Sequence, residues 1–206
     1  MQRKDWAARV DGLVVFRGLL QSEPLASLRA ALAADAAGLT GAVAAFESAL
    51  FTQGTNWTEV LLDAVLEAGL YAPSAMNNQK PVMVAVRDKA TRDQLSRMNA
   101  AVMGTDRDPF YGAPCVIVVL ADPTYPTWVE DGTLVLGNLL NAAHAVELGS
   151  CWINRAREMF DTEEGKALLR QWGIPEHYRG IGCCILGYAD ENPASKERAA
   201  NRIWKI

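Results

Sequence analysis

The chain has 206 residues, half of them hydrophobic, and a formal net charge of −4. A chain of this length can bury a core without disulfides, so we expect one domain, or one domain with a small appendage. The negative charge supplies no global basic field, so we do not expect nucleic acid as a partner.

An atypical helical segment is predicted over residues 1–55, ahead of a domain at 56–206. Basic residues near the start are not followed by an apolar stretch, which argues against a signal peptide. The apolar stretch Ala30–Leu50 carries two acidic residues and two glycines. A pair of helices, Leu25–Ala37 and Gly41–Leu50, is therefore favoured over a membrane span. We expect a soluble, cytoplasmic protein without a membrane partner.

The domain is predicted to begin with a helix, a strand and a second helix. Asn56 and Glu59 form a capping-box-like pair that opens a helix ending near Gly69. A short apolar strand follows at 82–86, and the next helix is predicted over roughly 91–103.

The run Pro73–Lys80, between the first helix and the first strand, is rich in small and amide side chains. Pro73 disfavours the α conformation at the preceding residue, and Ser74 can cap a new helical turn. The amides of Asn77 and Gln79 each offer donors and an acceptor, which suits the edge of a heterocycle such as the flavin pyrimidine. Taken alone, Ser74 and Asn77 are better explained as cap and turn residues.

The middle of the chain contains a buried strand and a very apolar helix. Ala113–Asp122 is a nearly continuous apolar run, typical of a strand that is buried on both faces of a sheet. A proline-containing loop leads to a helix over Glu130–Leu148, which is too apolar for a surface helix. This helix must either fill the core or form a subunit interface.

Two acidic pairs are interpreted as helix caps. Glu130 and Asp131 diverge around the helix axis and favour the positive end of the helix, so capping is preferred to an acid pair. Asp161 and Glu164 are predicted to open a helix that ends at Trp172.

Two further strands and a tail complete the pattern. Ser150–Ile153 and Ile181–Tyr188 are apolar strand-like runs, and Ser195–Ile206 is an extended basic tail. The alternation of helices and strands predicts a mixed α and β sandwich. The four cysteines show no metal-ligand spacing and are interpreted as core thiols in a reducing compartment, so no metal site is predicted.

Several of these segments, in this order and spacing, resemble the flavin-dependent nitroreductase family over roughly residues 56–206. The matching pieces are Ala72–Gln79, Pro109–Pro114, Val129–Gly132, Leu136–His144, Leu148–Ile153, Ile185–Tyr188 and the tail.

The resemblance implies an α+β fold, a nitroreductase-like mixed sheet flanked by helices. It implies a homodimer whose long central helix packs against its twin, with FMN at each end of the interface and contacted by both chains. The implied activity is an NAD(P)H-dependent oxidoreductase that reduces a nitroaromatic, a quinone or another small acceptor in a ping-pong cycle. No side-chain acid or base is required for hydride transfer, so no catalytic residue is predicted.

The resemblance also implies the residues that hold FMN. The loop would contact it through Pro73, Ser74, Ala75, Asn77 and Gln79. The backbone of Trp152, Ile153 and Asn154 would lie beside the ring near N5. Lys196 and Arg198 would hold the phosphate, a task suited to a bidentate guanidinium.

One expected feature is missing. The family has an arginine- and serine-containing segment before the first domain helix, whereas here Ala45–Thr55 occupies that place, and no Arg or Lys occurs between Arg29 and Lys80. Either the tail cations suffice, a residue such as Arg3 or Arg29 folds back, or flavin binding is weakened. The last case leaves a flavin-storing or flavin-free dimeric scaffold as an alternative. NADH and NADPH are not distinguished, since no separate nucleotide-binding fingerprint is present.

Overall fold

The computed structural model describes residues 57–191 and 193–206. The predicted helices at 25–37 and 41–50, and the capping residue Asn56, lie outside these ranges. The described helices are α1 (Trp57–Leu70), α2 (Lys89–Met103), α3 (Trp128–Ala145), α4 (Ala156–Asp161) and α5 (Glu163–Gln171). The strands are β1 (Val82–Val86), β2 (Cys115–Ala121), β3 (Gly149–Ile153) and β4 (Arg179–Gly187).

The four strands form one sheet in the order β1-β2-β4-β3, and every neighbouring pair is antiparallel. The predicted α+β class is confirmed, but the sheet described here is antiparallel rather than mixed. The reason is topological. β2 and β3 run in the same direction and are joined through α3, but β4 inserts between them and runs the opposite way.

The sheet separates two apolar layers. The face of β2 that carries Ile117 and Val119 packs with α1 and α3, whereas the face that carries Val116 and Val118 packs with α2, α4 and α5. Every residue of β2 is buried, as the continuous apolar run predicted. No helix within the described ranges is both long and apolar enough to cross a membrane.

Helix α3 buries its apolar face within its own chain. Val135, Leu136 and Leu139 are among its buried residues. The outer face carries Leu134, which is 45% exposed, and Gly137, where an added Cβ would meet open space. Of the two roles that the sequence left open for this helix, filling the core is therefore confirmed for most of its large side chains.

The cap predicted for α5 was wrong by one residue. Thr162, not Asp161, is the N-cap, and its Oγ1 accepts the N–H of Gly165 at 3.0 Å. Asp161 instead ends α4, a helix that the sequence did not reveal, and its carboxylate pairs with Arg179. The predicted end of α5 is confirmed, because Gly173 adopts a left-handed φ of 71° after the last turn.

Candidate functional site

The two predicted flavin-contacting segments lie at the same end of the sheet. Strand β1 begins and β2 ends there, as the pairing of Val82 with Leu120 shows, and β4 begins there, since Arg179 pairs with Ala121. Strand β3 runs towards the same end but stops at Ile153, opposite Cys183 in the middle of β4. The loop before β1 and the residues after β3 therefore flank one end of the sheet. They belong to opposite edge strands, and three strand spacings separate those strands by about 14 Å.

The loop over residues 73–80 has an unusual backbone. Met76, Asn77 and Gln79 each have a φ of 53°, in the left-handed region that residues other than glycine rarely occupy. A single 3₁₀ turn, Ala75–Asn77, lies at the centre of the loop. Three such residues in four positions store local strain, which is typical of ligand-binding segments.

Side-chain hydrogen bonds hold this loop in shape. The Oγ of Ser74 accepts the N–H of Gln79 at 3.0 Å, so the hydroxyl closes the loop and does not cap the turn as predicted. The Nε2 of Gln79 donates to the Oδ1 of Asn77 at 3.0 Å. Pro73, Asn77 and Gln79 are exposed. The amide nitrogen of Asn77 and the amide oxygen of Gln79 thus remain available to a ligand.

Asp131 anchors the loop from α3. Its carboxylate is 3% exposed, and Oδ1 accepts the N–H of Ala75 at 3.0 Å. The hydroxyl of Thr127 donates to Oδ2 at 3.2 Å. From the sequence, Asp131 was interpreted only as a helix cap. No local pattern could have shown that it accepts a hydrogen bond from a loop 56 positions away.

A cavity of about 220 Å³ lies between the loop, the end of α1, the start of β1 and α3. Its polar lining comes from Ser74, Gln79 and Asp131, and Met83 and Val135 are among its apolar residues. The loop therefore borders a concave region in which both amide and apolar groups are present.

At the end of β3 the side chains of Trp152 and Ile153 face the protein interior, whereas Asn154, the first residue after the strand, is exposed. Trp152 packs across Gly182, where an added Cβ would lie 2.6 Å from the indole Nε1, so its side chain belongs to the core. Ile153 is buried. The carbonyl of Asn154 accepts the Nδ2 of Asn99 at 2.7 Å, and Arg155 has a left-handed φ of 76°. Asn99 was not predicted from the sequence.

The tail cations stand apart from these two segments. Lys196 and Arg198 are exposed, and neither makes a hydrogen bond or an ion pair with any part of the chain that the structure describes. The structure therefore brings the loop and the β3 end to one end of the sheet but does not join the tail to them.

The described residues contain no metal site, and three of the four cysteines are buried, whereas Cys151, which was predicted as a core thiol, is exposed. Within residues 57–191 and 193–206, no group of three or more His, Cys, Asp or Glu side chains could hold a metal ion. Burial raises the pKa of Cys115 to about 11 and the pKa values of Cys183 and Cys184 to about 12. These three thiols stay protonated near neutral pH and are poor nucleophiles.

Sequence comparison identifies related proteins. The profile of the nitroreductase family matches residues 57–188. A protein of Archaeoglobus fulgidus named "Putative NADH dehydrogenase/NAD(P)H nitroreductase" is 35% identical over 133 residues, which cover 62% of this chain and 71% of that protein. A protein of Methanothermobacter thermautotrophicus with the same name is 29% identical over 144 residues, which cover 68% of this chain and 71% of that protein.

The fold is also similar to solved structures. The crystal structure of a nitroreductase from Bacteroides fragilis with bound FMN aligns with a TM-score of 0.65 at 28% sequence identity. The alignment covers 71% of this chain and 86% of that one.

Proposed function

The chain belongs to the nitroreductase family, and we propose that it is an FMN-dependent oxidoreductase. It takes hydride from NADH or NADPH and reduces a nitroaromatic, a quinone or another small acceptor in a ping-pong cycle. The observation that carries this proposal is the strained, amide-rich loop that borders a cavity, with the segment Trp152–Asn154 running towards the same end of the sheet. The names of the two archaeal relatives and the FMN in the Bacteroides structure support it.

The loop fits the polar edge of a flavin ring. The pyrimidine part of that ring alternates hydrogen-bond donors and acceptors, and the available groups of Asn77 and Gln79 are an amide nitrogen and an amide oxygen. Pro73, Ser74 and Ala75 would complete the contact through the backbone, since the side chain of Ser74 is used within the loop.

The segment Trp152–Asn154 would lie beside the ring. The side chains of Trp152 and Ile153 are packed in the interior, so these residues would contribute backbone groups at the end of a strand. Bound FMN would supply the redox chemistry, and no acid or base from the protein is required for hydride transfer. The chain's own residues would bind and orient the ring and keep one face open to both substrates.

The phosphate would be held by Lys196 and Arg198. They are exposed and make no ion pair with the described residues, so their charges are available to an anion. A guanidinium can donate two parallel hydrogen bonds to one phosphate, which makes Arg198 the principal contact in this proposal.

The site would be completed by a second copy of the chain. The loop and the β3 end lie on opposite edge strands, so a ring bound at one of them leaves space that a partner can fill. An apolar surface is available for that contact: Leu134 on α3 is 45% exposed, and Leu70 and Met76 are exposed near the loop. We therefore propose a homodimer that packs through the outer face of α3.

The cofactor proposal is tested on the purified full-length protein. We expect a yellow protein with the absorption bands of FMN, bleached by NADH or NADPH without oxygen and recoloured by an acceptor. Initial rates at several concentrations of both substrates should give the parallel reciprocal plots of a ping-pong cycle. An acceptor screen with both nicotinamides would then identify the substrates. A colourless protein that takes up no added FMN would instead support the flavin-free scaffold.

The dimer is tested by sedimentation. Wild-type protein should sediment as a dimer at micromolar concentration, and Leu134→Glu should shift it towards monomer, because a charge cannot be buried in an apolar contact. Val102→Glu is the matched control, since Val102 is 39% exposed on a helix across the sheet. A stable wild-type monomer, or equal effects of the two variants, would contradict the proposed interface.

A further inference from the structure

Asn99 is completely buried on α2 and is bonded to the turn that follows β3. Its Nδ2 donates to the carbonyl of Asn154 at 2.7 Å and lies 3.2 Å from the Sδ of Met159. Its Oδ1 has no hydrogen-bond partner within the described part of the chain. A buried amide oxygen without a partner is costly, and leucine would occupy a similar volume without that cost. The benefit of an amide here must therefore come from the hydrogen bond that its Nδ2 donates.

The bond from Asn99 fixes the direction of one peptide group. The described peptide bonds are all trans, so the C=O and the N–H of each peptide point in opposite directions. Because the carbonyl of Asn154 points at α2, the N–H of Arg155 points away from it. That N–H donates to no acceptor among the described residues.

The turn would not hold this geometry by local preference alone. Arg155 has a φ of 76°, a left-handed conformation that a residue with a Cβ rarely adopts. The carbonyl of Arg155 accepts the N–H of Met159 at 3.0 Å, which secures the C-terminal side of the turn. Ala156 is packed against Gly180, where an added Cβ would lie 2.2 Å from its carbonyl oxygen. On the N-terminal side of the turn, the Asn154 carbonyl accepts a hydrogen bond from Asn99 of α2.

We infer that Asn99 is a positioning residue for bound FMN. By holding the Asn154 carbonyl, it keeps the N–H of Arg155 directed away from α2 and available to donate to the ring. Asn99 itself is buried and does not touch the ring. This inference rests on the proposed function, because it assigns a purpose to the turn that the flavin would contact.

The test compares Asn99→Leu with Ser96→Ala. Ser96 is also buried on α2, but its hydroxyl donates to Asp108 at 2.6 Å and not to the turn. Three quantities are measured for each purified full-length variant: the FMN affinity of the apoprotein from flavin fluorescence, the two-electron reduction potential of bound FMN, and the hydrogen exchange of the amides at 153–157 without flavin.

We expect Asn99→Leu to bind FMN about tenfold more weakly and to change the ratio of affinities for reduced and oxidised flavin about tenfold. The second change corresponds to a shift of about 30 mV for a two-electron couple. Amide exchange at 153–157 should be faster. Ser96→Ala should lower the melting temperature and leave the potential and the exchange unchanged. If Asn99→Leu fails to fold, Asn99→Ala removes the same donor without placing a branched side chain in the core.

A variant at position 99 with the wild-type affinity and potential, despite a lower melting temperature, would overturn the inference and leave Asn99 a structural residue. Equal potential shifts in the Asn99 and Ser96 variants would also overturn it. The proposed function fails in a different way, because wild-type apoprotein would then bind no FMN at all.

Discussion

The buried carboxylate of Asp131 accepts the backbone N–H of Ala75 at 3.0 Å, although the two residues are 56 positions apart. This bond ties the first turn of α3 to the middle of the loop at 73–80. The same helix supplies the outer face that we propose as the dimer contact. The loop, the core and the proposed interface are thus connected through one side chain.

Replacing Asp131 should loosen the loop and destabilise the fold. Asp131→Ala leaves the N–H of Ala75 and the hydroxyl of Thr127 without their acceptor, which should lower the free energy of unfolding by about 1–3 kcal/mol. Asp131→Asn keeps one acceptor oxygen and should lose less. Urea denaturation measures the stability, and FMN titration should show weaker binding. Glu130→Ala, at the exposed neighbouring position, is the control, and a loss as large as that of Asp131→Ala would contradict this account.

Arg198 tests the phosphate contact. Arg198→Ala should lose about 1.5–3 kcal/mol of FMN binding, or roughly ten- to a hundredfold in affinity, because a charge-assisted hydrogen bond to phosphate is removed. Arg198→Lys should recover only part of this. Riboflavin has no phosphate and should bind the wild type and the variants alike. Fluorescence titration of the apoprotein measures both ligands, with Arg202→Ala as a control in the same tail. An unchanged FMN affinity would show that the phosphate is held elsewhere.

Asp108 should make stability depend on pH in the acid range. Burial favours its neutral form, but hydrogen bonds from Arg92, from Ser96 and from two backbone N–H groups outweigh it, so the pKa of Asp108 lies well below its usual value. The pKa of an unfolded aspartate is about 3.9. The stabilisation is therefore present above that pH and is lost as the pH falls towards the folded value.

At pH 7, Asp108→Asn should lower the free energy of unfolding by about 1–3 kcal/mol, since the buried guanidinium of Arg92 loses the nearer of its two carboxylate partners and keeps only Asp93. The difference from wild type should shrink below pH 4. Denaturant titrations at several pH values measure it, and Asp106→Asn, on the same loop, controls for the change in net charge. A difference that stays constant down to pH 3 would be inconsistent with a depressed pKa.

Gly180 should not tolerate a side chain. In Gly180→Ala the new Cβ would lie 2.2 Å from the carbonyl oxygen of Ala156, and backbone cannot move aside as a side chain can. We expect a loss of about 3 kcal/mol of stability, measured by thermal and urea unfolding. Gly137→Ala is the matched control, made and compared in the Leu134→Glu background because Gly137 lies on the proposed dimer face; within one chain its Cβ would meet open space and should stabilise the helix by up to about 1 kcal/mol. Equal losses in both variants would argue against the close approach.

The candidate site could be predicted only where its residues are adjacent in the sequence. The amide-rich loop could be identified because its proline, serine and amides are adjacent in the sequence. The backbone role of Trp152–Asn154 was implied only by the family resemblance and stays a prediction. The sequence did not indicate Asn99 or the loop contact of Asp131, because each depends on where two separate elements meet. The cap of α5 was misplaced because Asp161 and Thr162 are neighbouring residues that can both cap a helix.

The sequence by itself determined the order of the described strands and most of the helices, the burial of β2 on both faces and the resemblance to the nitroreductase family. The elements and the burial of β2 follow from the spacing of apolar residues and from local turn chemistry, which act over a few positions. The resemblance rests on the order and spacing of several sequence motifs. Only the tertiary structure decided that β4 inserts between β2 and β3 and thereby makes the sheet antiparallel. It also decided that Asp131 reaches Ala75 and that Asn99 reaches Asn154. These features depend on contacts between segments that are distant in the sequence, and such contacts form only when the chain folds.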